Sequence, residues 1–237
     1  MKKLWVLLLA ALLLCCAAAG AEIIESGTCG DSATWSVNDE GLLLIEGTGV
    51  VNSHPWSPED VKRIEVRSGI TSIDCLFAFS DCEKLTDVSF PDTLEKLDEY
   101  AFDACTALTG VDLPEGLKVL GDGAFRNCTA LTSAPQLPAT TLASNCYAGM
   151  FTGCTALTSA PTLPATTLAT RCYSSMFDGC TSLSSITCLA TNISASNCLQ
   201  GWVKGVKSSG TFTKSSSMSS WPTGTNGIPQ GWTVKNQ

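Results

Sequence analysis

Chemistry in this 237-residue chain would have to come from its cysteines, its single histidine, His54, or its carboxylates. Beyond Cys15 and Cys16 there are 11 further cysteines, and no two of them have the C-x-x-C spacing of a structural zinc site. A Cys-His or Ser-His nucleophile pair has one possible base, His54 in "NSHPWSPED", with Cys29 and Cys75 as the thiols that could approach it. The pairs Glu59-Asp60 and Asp98-Glu99 are adjacent in sequence and read as a solvated acidic surface rather than as an acid and a base facing one bond. Trp202, Trp221 and Trp232 sit among Ser, Gly, Thr and Pro. Such rings either stack on sugars or plug the end of a stack of strands, and plugging is the favoured reading. No catalytic residue, metal ligand or cofactor is assigned, and an enzyme is not expected.

Most of the cysteines belong to something larger. "AFSDCEKL", "AFDACTAL", "AFRNCTAL", "MFTGCTAL" and "MFDGCTSL" place Phe79, Phe102, Phe125, Phe151 and Phe177 at successive steps of 23, 23, 26 and 26 residues. Cys82, Cys105, Cys128, Cys154 and Cys180 follow each Phe by three residues, and Leu85, Leu108, Leu131, Leu157 and Leu183 follow by six. A catalytic constellation occurs once, so a phrase repeated at a near-constant interval is architecture.

The rest of each repeat shows what is built. "LTDVSFP" and "LTGVDLP" alternate inward and outward as a short strand does, before Pro stops the ladder. "LTSAPQLP" and "LTSAPTLP" are longer versions, "LSSITCL" closes the series and "VKRIEVR" opens it. A second apolar cluster, such as Leu94, Leu97, Ala101 and Phe102, lies on the return path. One such coil cannot bury its own apolar face. Stacked coils can, with parallel strands ~4.8 Å apart and a continuous core. The repeats therefore predict a solenoid: a right-handed stack of coils with short parallel strands, a β-hairpin cap at the N-terminal end and an irregular, β-rich cap at the C-terminal end.

In-register stacking sets neighbouring cysteines near the coil rise, wider than the ~3.8 Å between Cβ atoms that a disulfide prefers. Free, buried thiols are the expectation over cross-linked ones. Cys146 and Cys172 form a second column, echoed by Cys198, while Cys29, Cys75 and Cys188 lie off both and cannot be paired from sequence.

The chain opens "MKKLWVLLLAALLLCCAAAGAE": a basic start, an apolar run of 13 residues and small residues ending at Ala19 or Ala21. This reads as a secretory signal peptide, too short for a membrane span. Lipid attachment at Cys15 or Cys16 is disfavoured because Leu14 or Cys15 would precede the modified residue. The expected divisions are a leader at 1–21, an N-terminal β module at 22–58, a solenoid at 59–190 and a Ser/Thr/Trp-rich cap at 191–237. In the N-terminal module, Trp35 and Val37, a turn at Asn38–Gly41 and then Leu42–Ile45 form the hairpin.

Charge is divided unevenly. Residues 22–122 hold 21 acidic and six basic side chains, whereas 123–237 hold Asp178 as their one acid against six basic residues. The acidic front half repels nucleic acid and anionic membrane.

The stretch "AFDACTALTGVDLPEGLKVLGDGAFRNCTALT" resembles the bacterial leucine-rich repeats of the BspA-like, Treponema pallidum type. "SGTCGDSATWSVNDEGLLLIEGTG" resembles the small module that precedes such repeats. The resemblance implies a leucine-rich-repeat fold, placement outside the cytoplasm, and adhesion to host or bacterial surfaces. The repeats are few and no C-terminal sorting motif is visible.

A solenoid sheet offers rows of outward side chains, and partners read several rows together. One outward row is Glu65, Ser89, Asp112, Gln136, Thr162 and Thr187, and the row before it is Asp87, Gly110, Ser133, Ser159 and Ser185. The expected function is that of a secreted or surface-exposed monomer binding a host or bacterial surface protein or glycan through this face. A basic partner suits its acidic front, and a hydroxyl-tolerant one its back. The alternative is a spacer or self-associating scaffold without a specific ligand.

Overall fold

The computed structural model of the protein describes residues 21–237. The expected leader, Cys15 and Cys16 included, lies outside the described residues except for Ala21.

The coils do stack. Phe79, Phe102, Phe125, Phe151 and Phe177 are fully buried and form one interior file, with ring centroids 5.3, 5.5, 6.0 and 5.7 Å apart. Each ring occupies the coil rise, so every Phe is half of two contacts and no coil can bury its own. Trp56 stacks on Phe79 at 5.7 Å and Trp35 meets Trp56 edge-on, so the file begins in the N-terminal module. At the other end Val203 takes the file position. Trp202, before it, occupies the place held by Met176 in the previous coil. Trp202 is fully buried, stacks on Tyr173 and donates its indole N–H to Gly227 O at 2.8 Å.

The backbone around the file follows a turn-rich path with residues of positive φ two before and two after each Phe, as at Tyr100 and Ala104. Every second N–H there points to the next coil: Phe79 to Ala101 O, Phe102 to Ala124 O, Phe125 to Met150 O, Phe151 to Met176 O and Phe177 to Trp202 O, at 2.8 to 3.1 Å. The ladder has an acceptor end and a donor end, and both are capped. Trp56 Nε1 donates to Ala78 O at 3.0 Å, and Asn226 Oδ1 accepts the Gly201 N–H at 2.7 Å. Buried backbone groups are thus satisfied where the stack runs out.

The cysteine column lies beside this ladder. The thiols of Cys105, Cys128, Cys154 and Cys180 donate to the carbonyls of Phe79, Phe102, Phe125 and Phe151, one coil back, at 3.0 to 3.1 Å. All eleven described cysteines are free.

Strands form on the two other sides. The sheet nearer the N-terminus contains β1 (Ile23–Thr28), β2 (Ala33–Asn38) and β3 (Leu42–Gly47) as an antiparallel meander. Then β5 (Arg63–Val66) and β7 (Asp87–Ser89) add in parallel, with Leu43 beside Ile64 and Ile64 beside Val88. The turn between β2 and β3 is held by Asn38 Oδ1, which accepts the Leu42 N–H at 2.8 Å. On the return path β4 (Gly49–Val51), β6 (Ile70–Ile73), β8 (Lys96–Leu97) and β9 (Val119–Leu120) make a parallel sheet. The third sheet, β10 (Ser185–Cys188), β11 (Thr211–Lys214) and β12 (Thr233–Asn236), is also parallel and carries the coil stack through the C-terminal segment. The fold is a β-solenoid with almost no helix among the described residues: a single 3-10 turn at Pro58–Asp60.

Candidate binding face

The side of the stack that carries β5, β7 and β10 presents the two outward rows. Arg63 pairs in register with Asp87, and Glu65 with Ser89. Ser159 bridges to Ser185, and Ser185 continues to Thr211 and Thr233. Thr187 is followed by Thr213 and Lys235. Asp87, Ser89, Asp112, Gln136, Ser159 and Thr162 are exposed; Glu65, Ser185 and Thr187 are half-buried.

Between β7 and Ser159 the strand ladder lapses. Backbone bonds hold the coils together at its margin, as from the Thr132 N–H to Thr109 O at 3.0 Å, but none joins Val88 to Val111 or Val111 to Pro135. Pro135 and Pro161 have no N–H to give, and Gly110 has no side chain to pack there. Two polar depressions adjoin the lapse. One, of about 480 Å³, is lined by Arg63, Glu65, Asp87, Ser89 and Asp112. The other, of about 370 Å³, is lined by Asp87, Asp112, Ser133 and Gln136 together with Gly110 and Val111. The acidic members of the predicted rows therefore meet at two adjoining hollows.

The same region changes repeat length. The Phe ladder runs unbroken across it, from Gly123 N to Ala148 O at 2.9 Å and from Asn127 N to Thr152 O at 2.7 Å. The three extra residues of the longer repeats must then lie on the other sides. There an apolar cleft of about 560 Å³ opens between Leu113, Leu117 and Leu120 on one coil and Leu137, Pro138 and Tyr147 on the next. Sequence reasoning missed this cleft; the step from 23 to 26 residues was its signal.

Electrostatics tie down the front of the face. Arg63 Nε lies 3.4 Å from Asp87, and Arg67 lies 2.7 Å from Glu65. On the return-path sheet, away from that face, Lys96 bonds Asp74 and lies 3.6 Å from Asp98, and its hydrogen bond holds the Asp74 carboxyl below the usual range. Asp122, half-buried and facing Glu99, is pushed up to about 6, chiefly by burial.

The groups that could act as nucleophiles are not activated. Burial pushes the Cys29 thiol up to about 11 and the Cys75 thiol up to about 12, the reverse of a reactive thiolate. His54 rests against Trp56, ring centroids 6.2 Å apart. Asp98 Oδ1 accepts the Glu99 N–H at 3.0 Å. Among the described residues no group of three or more His, Cys, Asp or Glu side chains is placed to hold a metal ion. Trp202 and Trp232 are buried, Trp232 donating to Lys207 O at 2.8 Å, and Trp221 stacks on Trp202.

No curated protein matches the chain. It is similar to a leucine-rich repeat protein of Treponema pallidum, with 19% identity over 75% of this chain and 81% of that one and a TM-score of 0.47. It is also similar to a leucine-rich repeat protein of Bacteroides ovatus, with 16% identity over 88% of this chain and 76% of that one and a TM-score of 0.39. The family described as BspA type leucine-rich repeat region matches residues 56–161 in six copies. The coils of residues 56–161, which carry the Phe file from Phe79 to Phe151, are leucine-rich repeats of the BspA type.

Proposed function

We propose that this protein is an exported binding module that engages a protein or glycan of a host or bacterial surface through the strand face between Glu65 and Thr187. Asp87, Ser89, Asp112 and Gln136 sit at the centre of that face, and Ser159, Thr162, Ser185 and Thr187 form its hydroxyl-rich flank. One observation carries the reading. The strand ladder lapses where Asp87, Asp112, Ser133 and Gln136 converge, leaving backbone donors and acceptors and two polar hollows open to a partner. A face serving only as a spacer needs no such opening. Export is supported by the leader-like start of the sequence. The two together support the reading of placement outside the cell and adhesion.

The test is capture from mucus and matrix extracts by the processed chain. Replacing Glu65, Asp87 and Asp112 with Ser is expected to abolish capture of basic partners and to leave the thermal transition unchanged. Equal capture by the wild type and the triple variant contradicts the acidic half of the reading.

A further inference from the structure

We propose that the stacked rings of Phe77 and Tyr100, on the turn side of the stack, form a second recognition surface, one that takes an arginine side chain from a basic segment of a partner protein. The two rings meet across a coil boundary, centroids 4.9 Å apart and planes 11° from parallel. They lie outside the core: Phe77 is 41% exposed, and Leu76 beside it 51%. Both stand two residues before the file Phe at φ +58°, where later coils place Gly123, Gly149 and Gly201. A bulky side chain is the unfavourable choice in that left-handed conformation. Since glycine serves the same turn elsewhere, the stack does not need these rings.

The chain itself shows what such a ring receives. Arg126 Cζ lies 5.8 Å from the centroid of the Tyr100 ring, and Arg126 Nε lies 3.6 Å from Asp103. A guanidinium thus rests on an aromatic ring with a carboxylate at its edge. One coil earlier the ring recurs and the cation does not. Arg126 follows Phe125 directly, whereas Asp103 follows Phe102. Backbone bonds keep the two coils in the same register. Tyr100 N–H donates to Asp122 O at 2.9 Å and Ala104 N–H to Arg126 O at 2.8 Å; likewise Phe77 N–H donates to Glu99 O at 3.1 Å and Asp81 N–H to Asp103 O at 2.8 Å. Asp103 therefore holds toward Phe77 the place that Arg126 holds toward Tyr100. Phe77 is left with carboxylates and no cation.

The surrounding charge selects a cation. The turns at 74–83, 98–105 and 121–128 carry seven acidic side chains and Arg126 as their one base, whereas those at 145–154 and 171–180 carry one acid and one base. Lys96 meets Asp74 and Asp98, and Arg126 meets Asp103. Asp81 and Glu99 are exposed and enter no ion pair among the described residues. An arginine laid on Phe77 supplies the charge they lack, because its planar fork lies flat on a ring and still bonds carboxylates. A neutral sugar stacks there but leaves the charge unanswered. The rows from Glu65 to Thr187 lie on the strand side, so neither surface depends on the other.

Isothermal titration of the processed chain with an acetylated Gly-Arg-Gly-Arg-Gly peptide at low salt tests the proposal, beside the same peptide bearing neutral citrulline. The arginine peptide is expected to bind and to shift the Phe77 and Tyr100 ring-proton signals, and the citrulline peptide to do neither. Phe77→Gly, which places at this turn the residue later coils carry, is expected to weaken binding about three- to tenfold. Asp81→Asn with Glu99→Gln weakens it comparably and flattens its dependence on salt. Both positions are exposed, so this pair keeps the test decisive if removing the ring lowers the thermal transition. Asp87→Ser with Asp112→Ser leaves binding unchanged. Equal affinity for the two peptides, indifference to both the ring and the acid variants, or loss only on the Asp87 and Asp112 substitutions overturns the proposal. Ring shifts produced by a methyl glucoside and not by the arginine peptide overturn it too, and assign the rings to sugar stacking.

Discussion

The Cys128 thiol donates to Phe102 O at 3.1 Å, across the boundary between two coils, and the same carbonyl accepts the Cys105 N–H at 3.3 Å within its own coil. One acceptor thus closes a turn and holds the coil that follows. Burial pushes the Cys128 thiol up to about 12, so it keeps its proton and its donor role throughout the physiological range.

Cys128→Ala removes that donor and leaves a small void, and is expected to cost about 1–3 kcal/mol. Cys128→Ser keeps a donor in place and should cost less. Urea denaturation of the two variants beside the wild type gives the order. In the native state at neutral pH, the column thiols should resist alkylation that the denatured chain undergoes rapidly.

Phe125 sits between Phe102 at 5.5 Å and Phe151 at 6.0 Å. Phe125→Ala breaks the file in two places and is expected to cost about 3–5 kcal/mol. Because each coil contacts only its neighbours, the variant should unfold in two resolved steps rather than one. Circular dichroism during denaturation, read against tryptophan fluorescence, detects the split.

At Gly123, φ is +60°, and a Cβ there would meet the Tyr100 ring at 2.4 Å. Tyr100 stacks on Phe77 at 4.9 Å and lies under Arg126. Gly123→Ala is therefore expected to cost about 1–3 kcal/mol from backbone strain and to displace that stack. Loss of near-ultraviolet tyrosine signal with retained strand signal is the expected readout.

Asp122 holds its proton in the folded chain up to about pH 6, above the ordinary carboxylate value of 3.8. Its contribution to stability is fully present below about pH 4, declines between about pH 4 and 6, and is gone above that. Asp122→Asn lacks this slope. The variant should match the wild type near pH 4 and exceed it at pH 7, in melting temperature followed across that range.

Much of this architecture was legible because side-chain columns repeat with the coil. Phe102, Cys105 and Leu108 recur as a unit, so their burial and the hairpin from Trp35 to Ile45 could be read from spacing and alternation alone. The thiol bonds to Phe carbonyls were not legible, because they depend on how far one coil is offset from the next. Nor was the lapse at Val111 and Pro135: alternation announces a strand but not whether the neighbouring coil lies close enough to bond it. Arg63 was absent from the expected rows because its role arises from its register with Asp87. Trp202 holds Met176's place in a coil that has lost the Phe-Cys-Leu phrase, and its spacing from Cys198, the same as that of Met176 from Cys172, was the one signal left to align it by.

The account rests on an unbroken ladder along the Phe file beside a strand face that opens at mid-stack. Residue-resolved amide hydrogen exchange tests both at once. The amides of Phe102, Phe125 and Phe151 are predicted to exchange slowly and alike, while those of Val111, Asp112, Gln136 and Leu137 exchange far faster than those of Ser89 and Thr213. Slow exchange at Asp112 and Gln136, matching Ser89, would mean a closed sheet and contradict the account.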